Sequence, residues 1–193
     1  MTLVFATTNK NKIKEIQDFI PKSLNILSLH DIGCNYEIEE NGKSIAENAR
    51  IKSCYIKTNY GYDCFADDTG LEVRTLGGEP GVYSARYAGK QKSSKKNIDL
   101  LLANMKNKID RTAKFKTCIS LITKNENIMF EGIVKGEIID FPRGKKGFGS
   151  DSVFKPDNLN KTFAEISLFE KNKISHRGIA FKKLIKHLIT LYI

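Results

Sequence analysis

Several common signatures are missing from these 193 residues, and each absence removes a class of protein. No apolar run approaches the roughly 20 residues that a membrane-spanning helix needs. Met1-Thr2-Leu3 leads straight into a short strand-like run and then into lysines, which is not the order of a signal peptide. The four cysteines, Cys34, Cys54, Cys64 and Cys118, show neither CxxC spacing nor partnered histidines, which argues against a zinc site. A chain of this length needs no disulfide framework, so reduced thiols in a cytoplasm are the expectation. Repeats and low-complexity linkers are absent, and residues 1–193 are expected to form a single domain. What is abundant is positive charge, +10 in formal terms. An excess of that size favours polyanionic partners such as nucleotides or nucleic acid. Many of the lysines, however, fall on helix faces or in Lys/Asn-rich loops where they are simply solvated.

Hydropathy patterning places strands and helices in alternation. Leu3-Val4-Phe5-Ala6 reads as a strand buried on both faces. A polar turn, Thr7 to Lys12, follows it, and Ile13, Ile16 and Ile20 recur at helical spacing until Pro21. That turn lacks the glycines of a Walker A loop, yet N–H groups at a helix start beside lysines can hold phosphate. Asn25 to Leu29 reads as a second strand. Ser44-Ile45-Ala46-Glu47 has the form of a capping box opening a helix to about Tyr60, with Gly61 as its stop. Cys64 to Ala66 reads as a strand ending in Asp67-Asp68, with Gly70 bending the chain and Leu71-Glu72-Val73 continuing extended. Ser93 or Ser94 caps a helix bearing Ile98, Leu101, Leu102 and Met105. Residues 113–121 alternate as a strand, and Ile128 to Val134 pairs back as a hairpin. Phe141 to Gly149 is a basic glycine loop. Thr162 to Glu165 offers a capping box for a short helix, and Ser175 caps a last helix with Phe181, Leu184, Leu188 and Leu191 on its inner stripe. This succession predicts an α/β fold with a mixed sheet flanked by helices.

Two adjacent carboxylates repel unless a cation or basic side chains neutralise them. Asp67 and Asp68 alone fit a solvated turn equally well. A lysine-rich turn upstream, a basic glycine loop and Ser175-His176-Arg177 downstream together suggest carboxylates for a metal, lysines for phosphates, and a ring and a His-Arg pair for a base.

At this point the chain resembles the inosine/xanthosine triphosphate pyrophosphatase family. The residues that carry the resemblance are Phe5-Ala6-Thr7-Thr8-Asn9-Lys10-Asn11-Lys12, Glu40-Asn41-Gly42, Glu47-Asn48-Ala49 and Ala66-Asp67-Asp68-Thr69-Gly70-Leu71. The likeness continues through Leu76 to Tyr87, Gly147-Phe148-Gly149-Ser150-Asp151 and Ser175-His176-Arg177-Gly178. It implies two lobes around a long mixed sheet, with a central substrate cleft. It also implies a homodimer, Mg²⁺ dependence, and cleavage of XTP, ITP and dITP to the monophosphate and pyrophosphate. By the same resemblance Asp68 is the catalytic base and a metal ligand. Asp67 and Glu40 are the other metal carboxylates, with Glu39 an alternative to Glu40. Thr7, Thr8, Asn9, Lys10, Asn11, Lys12, Lys52, Thr69 and Lys171 contact the substrate. Phe148 stacks on the base, Gly149 and Ser150 beside it belong to the substrate-binding set, and Asp151, His176 and Arg177 read the edge of the base. A 6-keto oxygen accepts hydrogen bonds where adenine presents a donor, and a site built on such a bond rejects the mismatch by ~10⁴ or more.

The chain departs from the family pattern at Ser150 and Ser152, where an aromatic residue and a proline are usual. Their loss removes stacking area and loop stiffness and bears on base selectivity. A pyrophosphatase of the same fold with altered base preference, possessing an unchanged hydrolytic centre, is one alternative. An inactive homologue that only binds nucleotide is another. A non-catalytic nucleic-acid-binding protein is the alternative from a different class. Its lysines would form a basic face, whereas here they are scattered and Asp67-Asp68 would repel a phosphate backbone. Neither a nucleic-acid nor a membrane partner is therefore expected.

Overall fold

The computed structural model describes residues 1–192, with the side chains of Asp18, Leu191 and Tyr192 outside the described ones. Along the chain run β1 (Thr2–Phe5), α1 (Lys10–Ile16), β2 (Asn25–Leu27), α2 (Ile45–Tyr60), β3 (Cys64–Val73) and β4 (Pro80–Gly81). They are followed by α3 (Ser94–Asn104), β5 (Thr112–Ile122), β6 (Asn127–Ile138), β7 (Phe154–Pro156), α4 (Leu168–Ile174) and α5 (His176–Tyr192). The seven strands form one mixed sheet in the order β2-β1-β3-β5-β6-β7, with β4 attached to β3. β1 is parallel to both β2 and β3, whereas β3–β4 and β6–β7 are antiparallel. The α/β class with a mixed, helix-flanked sheet is therefore as the patterning indicated.

Two compact units divide the chain. The first comprises Met1–Asp68, Thr117–Gly132 and Arg177–Ile193; the second comprises Thr69–Lys116 and Ile133–His176. Within the first unit, side-chain alternation along β1 and β3 builds two cores. Leu3, Phe5 and Phe65 pack with Phe181, Leu184 and Leu188 of α5 on one face. Val4, Ala6, Cys64 and Ala66 pack with Ile56 of α2 on the other. The rings of Phe5 and Phe65 stack at 4.6 Å, and Phe181 meets Phe65 edge-on at 5.6 Å. The second unit has its own core, in which Leu71, Leu101, Met105, Phe115, Phe154 and Phe163 are buried together.

The caps of α2 are those the local residues specify. Ser44 accepts from the Glu47 amide, and Gly61 closes the helix with φ +76°. The Glu47 carboxylate, however, accepts from the Lys43 amide at 2.7 Å, so only half of a capping box forms.

Three expectations need correction. β3 neither ends at Asp67-Asp68 nor bends at Gly70 but runs unbroken into the extended stretch to Val73, because cations neutralise the buried Asp67 and allow the chain to stay extended in the interior. Thr162 to Glu165 opens no helix: the amides of Phe163 and Ala164 are committed to the carbonyls of Phe154 and Asp151. The capping box forms instead at Ser167 and Glu170, at the head of α4. The second strand stops at Leu27, two residues early, as the chain enters a 3₁₀ turn at His30–Ile32. Phe181, Leu184 and Leu188 are buried as expected, while the Leu191 side chain lies outside the described residues.

Candidate active site

The pleat of β3 separates the two aspartates. Cys64, Ala66 and Asp68 share one face, and Phe65 and Asp67 the other. Adjacent in sequence, the two carboxylates are thereby given different partners rather than facing each other.

Asp67 is wholly buried. Its Oδ1 accepts from Lys12 Nζ at 3.0 Å and its Oδ2 from Arg177 Nε at 3.1 Å. Its backbone carbonyl accepts from Lys52 Nζ at 2.7 Å and from Lys12 Nζ at 3.3 Å. Burial alone would protonate this carboxyl, but Lys12, Arg177 and Lys52 outweigh it and hold Asp67 well below the usual carboxylate range. Arg177 also donates to Glu15, a second buried carboxylate; burial works against its charge, and Glu15 and Asp67 raise its pKa regardless. The Arg177 charge at the start of α5 is thus met by two buried carboxylates, Glu15 and Asp67.

Lys12 and Lys52 respond differently to the same surroundings. Burial and the nearby charges of Lys52 and Arg177 pull the Lys12 ammonium below its ordinary value despite Asp67. For Lys52 burial also acts downward, but Asp68, Glu40 and Asp67 together raise it. Lys52 donates to Glu40 as well, which makes Glu40, half-buried, the engaged member of the Glu39-Glu40 pair. Glu39 is exposed.

Asp68 is almost fully buried, and its Oδ2 accepts from Asn48 Nδ2 at 3.2 Å. Asn48 and Lys52 lie one turn apart on the buried stripe of α2 with Ile45, Ala49 and Ile56. An amide and an ammonium on the buried stripe of a helix, beside Ile45, Ala49, Ser53 and Ile56, are a signal that sequence alone could have supplied. Glu15 offers no comparable signal.

The turn after β1 is organised by Asn9, which caps α1 and accepts from the amides of Asn11 and Lys12. Thr7 is buried and its hydroxyl accepts from the Asn9 amide at 3.2 Å; Thr8, Lys10 and Asn11 are exposed.

In the second unit, Thr69 is half-buried on β3. Phe148, Gly149 and Ser150 form a tight, half-buried turn. Asp151 Oδ2 accepts both from the Phe148 amide at 2.8 Å and from Lys171 Nζ at 2.6 Å. Gly147 is obligatory beneath this turn, since a Cβ there would sit 2.1 Å from that same oxygen. Lys171 Nζ also lies 5.1 Å from the Phe148 ring centroid and 5.6 Å from that of Phe163. His176 is buried and stacks on Phe115 at 4.5 Å. His176 and Arg177, though neighbours in the chain, belong to separate clusters.

Among the described residues, no group of three or more His, Cys, Asp or Glu side chains is arranged to hold a metal ion. That still suits a hard cation such as one bound by one or two carboxylates together with substrate phosphates. Asp68 and Glu40 supply the right oxygen donors for it. Both oxygens of Asp67 already accept from cations, which makes it an anchor for Lys12 and Arg177 in this arrangement.

Residues 3–187 match the model of the Ham1 family. The chain belongs to the Ham1 family. Among its relatives, the dITP/XTP pyrophosphatase of Christiangramia forsetii is 55% identical over 97% of this chain and 99% of the relative. That of Bacillus subtilis is 43% identical, over 95% and 94% respectively. The Ham1 protein of Staphylococcus aureus superposes with a TM-score of 0.91 at 38% identity, covering 98% of this chain and 99% of that one. The HAM1 protein of Coxiella burnetii gives 0.92 at 34% identity over the same shares. No helix among the described residues is long and apolar enough to cross a membrane.

Proposed function

We propose that this Ham1 chain is a dITP/XTP pyrophosphatase, hydrolysing dITP, XTP and ITP to the nucleoside monophosphate and pyrophosphate. The observation that carries this reading is Asp68, held by Asn48 beside a buried cluster of Lys12, Lys52 and Arg177. In the reaction, water oxygen forms a bond to phosphorus while the anhydride bond to the pyrophosphate breaks and takes its electron pair with it. Asp68 receives the proton of that water at its carboxylate oxygen.

The charge balance of the cluster bears on the cofactor. Among the described contacts, three cationic side chains, Lys12, Lys52 and Arg177, face four carboxylates, Asp67, Asp68, Glu40 and Glu15. A triphosphate, with about four negative charges, therefore needs a further cation to be accommodated. We assign that part to Mg²⁺ at Asp68 and Glu40, where it would neutralise phosphate charge and acidify water. Lys12, Lys52 and the turn from Thr7 to Asn11, with Thr69, serve the phosphates. Phe148, Gly149, Ser150, Asp151, Lys171, His176 and Arg177 serve the base, with Phe148 as the stacking ring. Residues 1–193 work as one catalytic domain, as a cytoplasmic homodimer.

A substrate panel with Mg²⁺ tests the assignment by scoring pyrophosphate against orthophosphate. Pyrophosphate from dITP, XTP and ITP, with little turnover of ATP, is the expected result; orthophosphate, or equal use of ATP, overturns it. Preference for a modified pyrimidine would point to the serines at 150 and 152 as having changed the base. Asp68→Asn is expected to lower kcat about 10²- to 10⁴-fold with the fold intact.

A further inference from the structure

We propose that Asn48 is a positioning residue, one that locks the Glu39-to-Lys43 loop to β3 and so sets the placement of Asp68 relative to Glu40; this rests on the reading of Asp68 and Glu40 given above. The side chain is fully buried on α2. Its Oδ1 accepts from the Gly42 amide at 2.8 Å, and its Nδ2 donates to Asp68 Oδ2 at 3.2 Å. This orientation of the amide is dictated by chemistry. The Gly42 N–H can only donate and an ionised carboxylate can only accept, so a flipped amide would lose both bonds.

Two further features show that the bridge is built into the fold. Gly42 is buried, and a Cβ on it would lie 2.6 Å from Asn48 Oδ1 and 3.0 Å from the Asn48 amide nitrogen. The close approach of loop and helix thus requires glycine at 42. One turn further along α2, Lys52 joins Glu40 of the same loop to the Asp67 carbonyl of the same strand. Asn48 and Lys52 are parallel ties between loop and strand, and Asn48 is the one that donates a hydrogen bond to Asp68 Oδ2. A carboxylate free to rotate spends less time aimed at the reacting water, which lowers kcat without weakening nucleotide binding. Both polar ends of the side-chain amide are already engaged, one by Gly42 and the other by Asp68, so Asn48 acts through the loop and Asp68.

The two arms of the bridge can be tested separately. Asn48→Ala removes both; Asn48→Asp keeps an acceptor for Gly42 but replaces the donor to Asp68 with a like charge. With dITP and Mg²⁺, both variants are expected to lose about 10- to 100-fold in kcat, the usual cost of an outer hydrogen-bond partner, with KM changed less than threefold. Amide hydrogen exchange at Gly42 is expected to accelerate in Asn48→Ala and to stay near the wild-type rate in Asn48→Asp. Gly42→Ala should reproduce the kcat loss by pushing the amide out of place. A wild-type kcat in Asn48→Asp overturns the proposal, as does a loss that falls on KM alone. If Asn48→Ala does not fold, Asn48→Asp and Gly42→Ala still decide the matter. A wild-type protein that turns over none of dITP, XTP and ITP defeats the functional reading itself, and the inference with it. That failure is distinct from an active wild type with active Asn48 variants.

Discussion

Asp67 in the first unit and Asp151 in the second are both buried carboxylates, yet they are neutralised by different means. Asp67 is shared by Lys12, Lys52 and Arg177, which come from three separated segments of the chain. Asp151 faces Lys171 and the amide of Phe148, three residues away, with two aromatic rings close to the ammonium. The first is a network, in which each charge meets more than one partner. The second is an ion pair that also seats a turn. A network ties distant elements into one geometry and leaves its cations in unequal states, as the opposite pKa directions of Lys12 and Lys52 show. The Asp151–Lys171 contact joins one turn to one helix.

The strongest way to break the network is Asp67→Asn, which leaves Lys12, Lys52 and Arg177 around a neutral amide. Chemical unfolding at neutral pH is expected to show a loss toward the upper end of the roughly 3–5 kcal/mol typical of an uncompensated buried charge. Because the folded pKa of Asp67 is depressed, its stabilisation is present above the unfolded value of about 3.9 and is lost as pH falls through the lower folded value. The gap between wild type and Asp67→Asn should accordingly close in acid. A gap independent of pH would mean that the cations are balanced elsewhere.

For the pair, Lys171→Met is expected to cost nearer 3 kcal/mol, and the double change with Asp151→Leu to recover more than half of it, since an apolar pair removes both desolvation penalties. Additive losses in that cycle would show that Asp151 has a network of its own. A smaller effect is expected from Ser167→Ala, about 1 kcal/mol, because it removes the capping box of the helix that presents Lys171. The subtlest test is kinetic. With the Lys12 pKa lowered, its ammonium is lost at a pH below that of a solvated lysine, so KM for the nucleotide should rise as pH climbs through that value. Lys12→Arg keeps its charge and should abolish the rise.

Local signals were legible where structure is local. Ser44 and Gly61 mark the ends of α2 because a cap needs only the residues beside it. The same logic misled at Thr162, whose capping pattern is as good as that of Ser167. The choice between them depended on distant carbonyls that claim the amides of Phe163 and Ala164. β7 went unread because three residues ending in Pro156 carry too little periodicity. The candidate site residues carry motif signals in the sequence; Asn48, inside the Glu47-Asn48-Ala49 stretch, and Glu15 carry no role there, yet they contact Asp68 and Arg177. Asn48 had a signal in its place on the buried stripe of α2, but Glu15 acquires its meaning only from Arg177, 162 positions away.

By itself, then, the sequence determined the alternation of strands and helices, the caps of α2 and the identity of the charged residues that matter, since periodicity, propensity and side-chain chemistry are properties of neighbours. Tertiary structure alone decided that Asp67 and Asp68 part company. Asp-Asp-Thr-Gly has the local composition of a turn, and it stays extended only because Lys12, Lys52 and Arg177 arrive from elsewhere to neutralise the buried charge, after which the pleat sends one carboxylate to each face.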